Sequence, residues 1–256
     1  MEPAETIEYR GHEIEIFYDE MAESPRDWDP MGTMICKSSR YSLGDIDKSD
    51  SYHRMGRSVR EDMANYFYNE HCAEIKKVYP GIERHEDECG DLTEYGIDLI
   101  WKWINSDVIM LNLYLYDHGG ITMNTGGYSC RWDSGQCGFI YVTKNQLRKH
   151  MVRKKVDKKL MERAREILNG EVETYDTFIR GDVFCYTVSG PYCTDGCGGW
   201  YGWDHEESGL LMEARASIDY AILWSVKEHL EQLKKWIKNK VPLPKREPLT
   251  LDPGVL

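Results

Sequence analysis

Residues Leu111–Val142, LNLYLYDHGGITMNTGGYSCRWDSGQCGFIYV, decide how the rest of the chain is read. Apolar residues at both ends of the stretch flank Asp117-His118-Gly119-Gly120, where Asp bonds its own backbone and Gly accepts positive φ. The stretch predicts two β-strands closed by that turn, a polar loop, and a third strand ending at Val142. The loop Ser129–Gln136 carries Cys130, Arg131, Trp132, Asp133 and Ser134, the densest group of reactive side chains in the sequence.

Outward from this centre the pattern alternates between the two periodicities. Residues 6–18 alternate polar and apolar around Gly11, which predicts a hairpin or bent strand, and Thr33–Cys36 reads as a short strand. Ser58 followed by Glu61 has the capping-box spacing and opens a predicted helix to Tyr79, stopped by Pro80-Gly81. A second helix is predicted over 93–105 and a third over 157–180, where apolar residues recur every three or four positions. Residues 182–189 and 199–203 read as a strand pair around the turn-rich GPYCTDGCGG. A last helix is expected from Leu210 to Lys240, with Ile218, Ile222, Val226, Leu230, Leu233 and Ile237 on one side. The class is therefore α+β: a central, mostly antiparallel sheet, several packed helices and a long C-terminal helix. No repeat or composition break divides the chain, so a single domain over 1–256 is expected, with 241–256 an extended Pro-rich tail.

The chain has 256 residues, 41% hydrophobic and 12% aromatic, enough for a full core. Tyr and Trp (17 and 8) outnumber Phe (5), a composition suited to half-buried surfaces and interfaces. The net charge of −12 is uneven. Residues 1–29 hold ten carboxylates against Arg10 and Arg26, whereas residues 144–165 hold ten Lys/Arg against Asp157 and Glu162. Acidic balance disfavours indiscriminate nucleic-acid binding, while a concentrated basic face can still act locally. The polar, acidic start resembles no signal peptide, and no apolar run is long enough to span a bilayer, so a cytoplasmic location with the eight cysteines reduced is expected.

Three groups of residues carry chemistry. Asp117 and Asp133 fall at one end of the central strands if these pair. With Asp19 and Asp29 from an earlier loop they offer the oxygen ligands that Ca²⁺ or Mg²⁺ requires. His118 beside them suits proton transfer. Cys185, Cys193, Cys197 and His205 offer four zinc-type ligands, although the Cys193–Cys197 spacing is not the usual Cys-x2-Cys. Lys149, Arg153, Lys154, Lys155, Lys158 and Lys159 form a basic face able to contact phosphates without sequence preference. Against each stands a plainer reading, respectively turn chemistry, core packing and a solvated helix start. Walker A, GxGxxG, HExxH and GxSxG motifs and paired CxxC spacings are all missing.

Several segments together resemble a widespread family of bacteriophage and mobile-element proteins. They are Tyr18-Asp19-Glu20, Ser24-Pro25-Arg26-x-Trp28-Asp29-Pro30-Met31-Gly32-Thr33-Met34, and Arg40-Tyr41-x-Leu43-Gly44-Asp45. The match continues in Leu113–Ile121, Trp132–Val142 (WDSGQCGFIYV) and Asn169-Gly170-Glu171-Val172-Glu173-x-Tyr175. The resemblance brings no activity with it. It implies an accessory protein working inside a bacterial host. With no catalytic signature, the expectation is a binding protein that engages a host or defence macromolecule, as a counter-defence inhibitor of the anti-CRISPR or antirestriction type does. The alternatives are a metal-dependent hydrolase or nuclease centred on Asp117 and Asp133, and a nucleic-acid module using the basic face. No membrane association is expected.

Overall fold

The computed structural model describes residues 2–38, 40–47, 59–87, 90–242 and 245. The capping pattern at Ser58 and most of the 241–256 tail lie outside them. The fold is α+β. Its strands make two sheets, and the chain divides into two compact units where the composition had suggested one domain. Residues 1–23 and 177–256 form the first unit and residues 24–176 the second. Composition could not reveal this, because the first unit is assembled from both ends of the chain.

In the first unit, β1 (Glu5–Tyr9) and β2 (His12–Tyr18) form the expected hairpin, turning at Arg10 and Gly11 with φ of 49° and 70°. β2 pairs antiparallel with β8 (Val183–Ser189), and β8 with β9 (Thr194–Tyr201). β9 begins earlier than the sequence suggested: Thr194-Asp195-Gly196-Cys197-Gly198 lies in the strand. Backbone pairing to β8 overrides the turn preference of its glycines. Ile14, Ile16, Phe184, Tyr186 and Val188 pack this sheet against Leu210, Leu211, Ala214, Ile218 and Ile222 of α6 (Leu210–Lys238). Leu230 and Ile237, expected on the buried side of this helix, are 51% and 65% exposed.

In the second unit, β3 (Thr33–Cys36), β4 (Ile46–Asp47), β5 (Val108–Asp117), β6 (Ile121–Asn124) and β7 (Ser134–Thr143) are ordered β4-β3-β7-β5-β6. Among the described residues only β3–β4 is parallel. α1 (Val59–Glu70), α2 (Cys72–Val78) and α3 (Glu94–Asp107) cover one face, where Phe67, Trp103, Phe139 and Tyr141 form an aromatic core. The predicted single helix to Tyr79 is interrupted at His71, whose ψ of 22° is not helical. That ring leaves the helix to stack between Phe67 and Trp103 and to bond the Tyr141 hydroxyl at 3.1 Å. Thr93 caps α3 through Gly96 N.

The opposite face is crossed by α5 (Lys158–Ile179), which buries Ala164, Leu168, Val172 and Tyr175. Where β5 meets β7 the register slips between Leu113 and Tyr114, leaving Cys137 as the extra residue of a bulge. A bulge breaks the alternation of side chains, and here the Cys137 thiol hydrogen-bonds Cys36 of the neighbouring strand. Gly138 is required beside it, since a Cβ would overlap the Ile35 carbonyl oxygen.

Candidate functional site

Three of the segments that carried the resemblance, residues 24–34, 40–45 and 169–175, meet in a largely buried polar network of the second unit. Pro25 starts a 3-10 turn (Pro25–Asp27) capped by Ser24 Oγ, which directs Arg26 inward until its side chain is only 5% exposed. Its Nε and Nη2 donate to Asp45 Oδ1 and Oδ2 at 2.6 and 2.7 Å. Nη1 donates to Glu171 Oε2 at 2.9 Å, and Nη2 also to the Gly32 carbonyl at 2.6 Å. The carboxylates also take backbone N–H groups: Asp45 from Met34, Glu171 from Met31 and Gly32. Burial alone would lower the Arg26 pKa, but the two carboxylates more than offset it. Beside this network the Tyr175 hydroxyl accepts from Gly44 N at 2.8 Å. These groups bond one another and the backbone, and so tie the 24–34 segment and Asp45 to each other and to α5. None of them was chosen as a site residue from the sequence. The available signal was one arginine within an acidic stretch.

Asp117 and Asp133 do lie together at one end of this sheet, where Asp117 N donates to Asp133 O at 2.8 Å. Their carboxylates are engaged separately. Asp117 accepts from Arg40 Nη1 and the Tyr41 hydroxyl, both at 3.1 Å. Asp133 is 3.3 Å from His118 Nδ1 and accepts from the Cys130 thiol at 3.7 Å. Ser134 Oγ donates to the Cys130 carbonyl. Desolvation first, then Asp117, pushes the Tyr41 hydroxyl above its ordinary pKa. A nucleophilic thiolate is favoured by a cation beside it, whereas the partner of Cys130 is the Asp133 carboxylate, whose negative charge disfavours the thiolate. The arrangement pins the turns.

The four-aspartate site is not assembled. Asp29 precedes β3, whose Thr33 pairs with Tyr141, whereas Asp117 follows Tyr116, which pairs with Ser134. Those positions are at opposite ends of β7, separated by on the order of 20 Å of strand. Asp19 belongs to the first unit, where its carboxylate accepts from Met21 N and Gly199 N at 3.0 and 2.9 Å. The zinc-type set is dispersed as well. Cys193 packs with the apolar cluster under α6, while Cys197 is exposed on β9. His205 is a buried ring set edge-on to Phe184 at 4.7 Å. Among the described residues no three His, Cys, Asp or Glu side chains are placed to hold a metal ion.

The basic face is realised in part, and as a concavity. Thr143 and Gln146 form a reciprocal capping box that starts α4 (Lys144–His150), a helix the sequence had shown only as basic charge. The chain leaves α4 through Val152, a β-branched residue in the left-handed region at φ 51°. Asp157 then caps α5 by accepting from Leu160 N at 2.8 Å. Where the connector after α4 enters the first turns of α5 lies an open cleft of about 470 Å³ lined by Arg153, Lys154, Lys155, Asp157, Lys159 and Arg163 with Leu160. Lys149 and Lys158 are exposed but do not line it. Among the described residues no ion pair involves Arg153, Lys154, Lys155 or Lys159; Arg163 bonds Glu166 at 2.9 Å.

A second open cleft, about 540 Å³, lies beside the β6–β7 loop and includes Tyr114, Tyr128, Arg131 and Gln136. Next to it Trp132 is 95% exposed. No family model, curated protein or solved structure matches this chain. Among the described residues, no helix is long and apolar enough to cross a membrane.

Proposed function

We propose that this chain acts by binding a macromolecule rather than by catalysis, and that its ligand is a nucleic acid seated in the basic cleft at the start of α5. The observation that carries this reading is the set of cations around that cleft, four of them in no ion pair among the described residues. A phosphate backbone supplies the matching charge at regular spacing and releases counterions when bound. The aromatic side chains that stack single-stranded bases are missing from the cleft lining, so the expected contact is with the backbone of a duplex. In the mobile-element setting implied by the resemblance, this activity fits an accessory or counter-defence protein that occupies or shields nucleic acid.

Fluorescence anisotropy with labelled duplex DNA, duplex RNA and single strands tests the reading. Five contacting cations predict a slope of log K against log salt of about −4.5 for duplex DNA. The triple variant Arg153→Ala/Lys154→Ala/Lys155→Ala should reduce the slope to about −2 and weaken binding equally across sequences. Absence of binding at low salt, or a slope unchanged in the triple variant, removes nucleic acid as the ligand.

The exposed Trp132 beside Arg131 favours a second reading, a protein partner. Trp and Arg are the residues that most often dominate interface energetics. Capture from bacterial lysate by the wild type, lost in Trp132→Ala, supports a protein partner; identical captures by both proteins oppose it.

A further inference from the structure

α6 is too long for what it covers. The helix has 29 residues, but its buried residues end at Ile222. Along its outer side Met212, Tyr220, Leu223, Trp224, Leu230 and Ile237 are each more than half exposed. Together they form apolar surface along the length of the helix; exposed apolar patches beyond a few hundred Å² mark interaction sites, and about 800 Å² per partner is usual in a stable interface.

The spacing of these residues is that of a coiled-coil seam. Ala216, Leu223, Leu230 and Ile237 recur every seventh residue, and Met212, Val226 and Leu233 fall at the alternate seam position. All seven are exposed or half-exposed. Asp219, the charged residue in the series, is drawn aside by Arg10 at 2.9 Å and by the Tyr9 hydroxyl.

We propose that this face is a self-association surface: two copies of the chain pair through α6 as an antiparallel, two-fold coiled coil. The charges along the helix select the orientation. Its first half carries Glu213 and Asp219 against Arg215, while in its second half Lys227, Lys234, Lys235 and Lys238 outnumber Glu228 and Glu231. Parallel pairing places like lysines side by side. Antiparallel pairing, with Met212 level with Ile237 of the second copy, sets Ala216 against Leu233, Leu223 against Val226, and Leu230 against Asp219, whose carboxylate is turned to Arg10. In that register Glu213 lies beside Lys234, which exchanges its intrahelical partner Glu231, at 2.7 Å, for Glu213, and the exposed Tyr220 ring lies beside the Lys227 ammonium. The small residue faces a large one, and the flanking contacts are an ion pair and a cation–π contact, each made twice by symmetry.

Sedimentation equilibrium of the full chain across the micromolar range, with circular dichroism as a control for folding, tests the pairing. The expected result is twice the monomer mass for the wild type. Leu230→Glu, at an exposed position, should halve that mass with the folded spectrum unchanged. Glu213→Lys should weaken association about tenfold, and adding Lys234→Glu to it should restore the dimer. A monomeric wild type, or a dimer indifferent to Leu230→Glu, overturns the proposal. A dimer lost in Leu230→Glu but not weakened by Glu213→Lys overturns the antiparallel register.

Discussion

Replacing Arg26 by alanine should be among the most damaging single changes in the second unit. The guanidinium donates four hydrogen bonds, three to carboxylates and one to the Gly32 carbonyl. Its removal leaves Asp45 and Glu171 facing each other without a cation, their side chains only 23% and 16% exposed. Breaking a buried ion pair on one side costs about 3–5 kcal/mol. The backbone N–H groups of Met31, Gly32 and Met34 remain as donors, so the lower end, about 3 kcal/mol, applies. For a chain of this size that corresponds to a fall in Tm of about 6–12 °C. The assay is urea and thermal unfolding of wild type and Arg26→Ala, with an unchanged m-value showing that the native fold is retained. Arg26→Lys should recover only part of the loss, because an ammonium cannot reproduce the two-pronged contact with Asp45.

The decisive comparison is the triple variant Arg26→Ala/Asp45→Asn/Glu171→Gln. It should be more stable than Arg26→Ala alone, since the stranded charges are gone. A single variant within about 1 kcal/mol of wild type, or a triple variant no better than the single, would refute the view that this network is desolvated enough to matter.

Further expectations concern other elements. Val152 holds a left-handed conformation that costs an L-residue about 1–2 kcal/mol, so Val152→Gly should raise stability by about 1 kcal/mol, read as a higher urea midpoint. Gly138→Ala should cost about 3 kcal/mol or more, because the new Cβ meets the rigid Ile35 carbonyl rather than a movable side chain; soluble yield and urea midpoint report it. Burial pushes the His71 imidazole below its ordinary pKa, against the weaker opposing pull of Glu74 and Glu70. The unfolded chain therefore binds this proton first. The contribution of neutral His71 is complete above about pH 6.5 and is lost as pH falls through the depressed folded value. His71→Gln should flatten that part of the stability–pH curve, and an identical acid slope in both proteins would remove His71 as its cause.

The parts of the fold legible in the sequence are those set by local chemistry. The Arg10-Gly11 turn, the Thr93 cap and the apolar period of α5 needed only neighbours a few residues apart. The illegible parts depend on distant partners. His71 is surrounded by good helix residues, yet its ring is more favourably placed among Phe67, Trp103 and Tyr141 than in a continuous helix. Gly196 and Gly198 signal a turn to any local reading, and only the pairing of β9 with β8 makes them strand. The two-unit division escaped composition because residues 1–23 complete a sheet with strands that begin at Val183. The same applies to Arg26, whose partners lie 19 and 145 residues away.

That division between local and distant information bears on how the marker segments should be read. A motif dense in Asp, Arg, Glu and Gly invites a catalytic interpretation, but the side chains of Arg26, Asp45 and Glu171 are spent on one another and on backbone groups. Those of Asp117 and Asp133 are likewise taken up by Arg40, Tyr41, His118 and Cys130. A group whose hydrogen-bonding capacity is saturated within the fold has little left for a substrate, because recruiting it would strand its present partner. The residues with unspent capacity lie elsewhere: the cations of the basic cleft at the start of α5, the bare indole of Trp132 and the outer face of α6. Only Trp132 falls within a marker segment. The paired side chains of Arg26, Asp45, Glu171, Asp117 and Asp133 therefore hold the scaffold of the second unit, and the proposed binding is to be tested on the surfaces whose side chains have no such partners among the described residues.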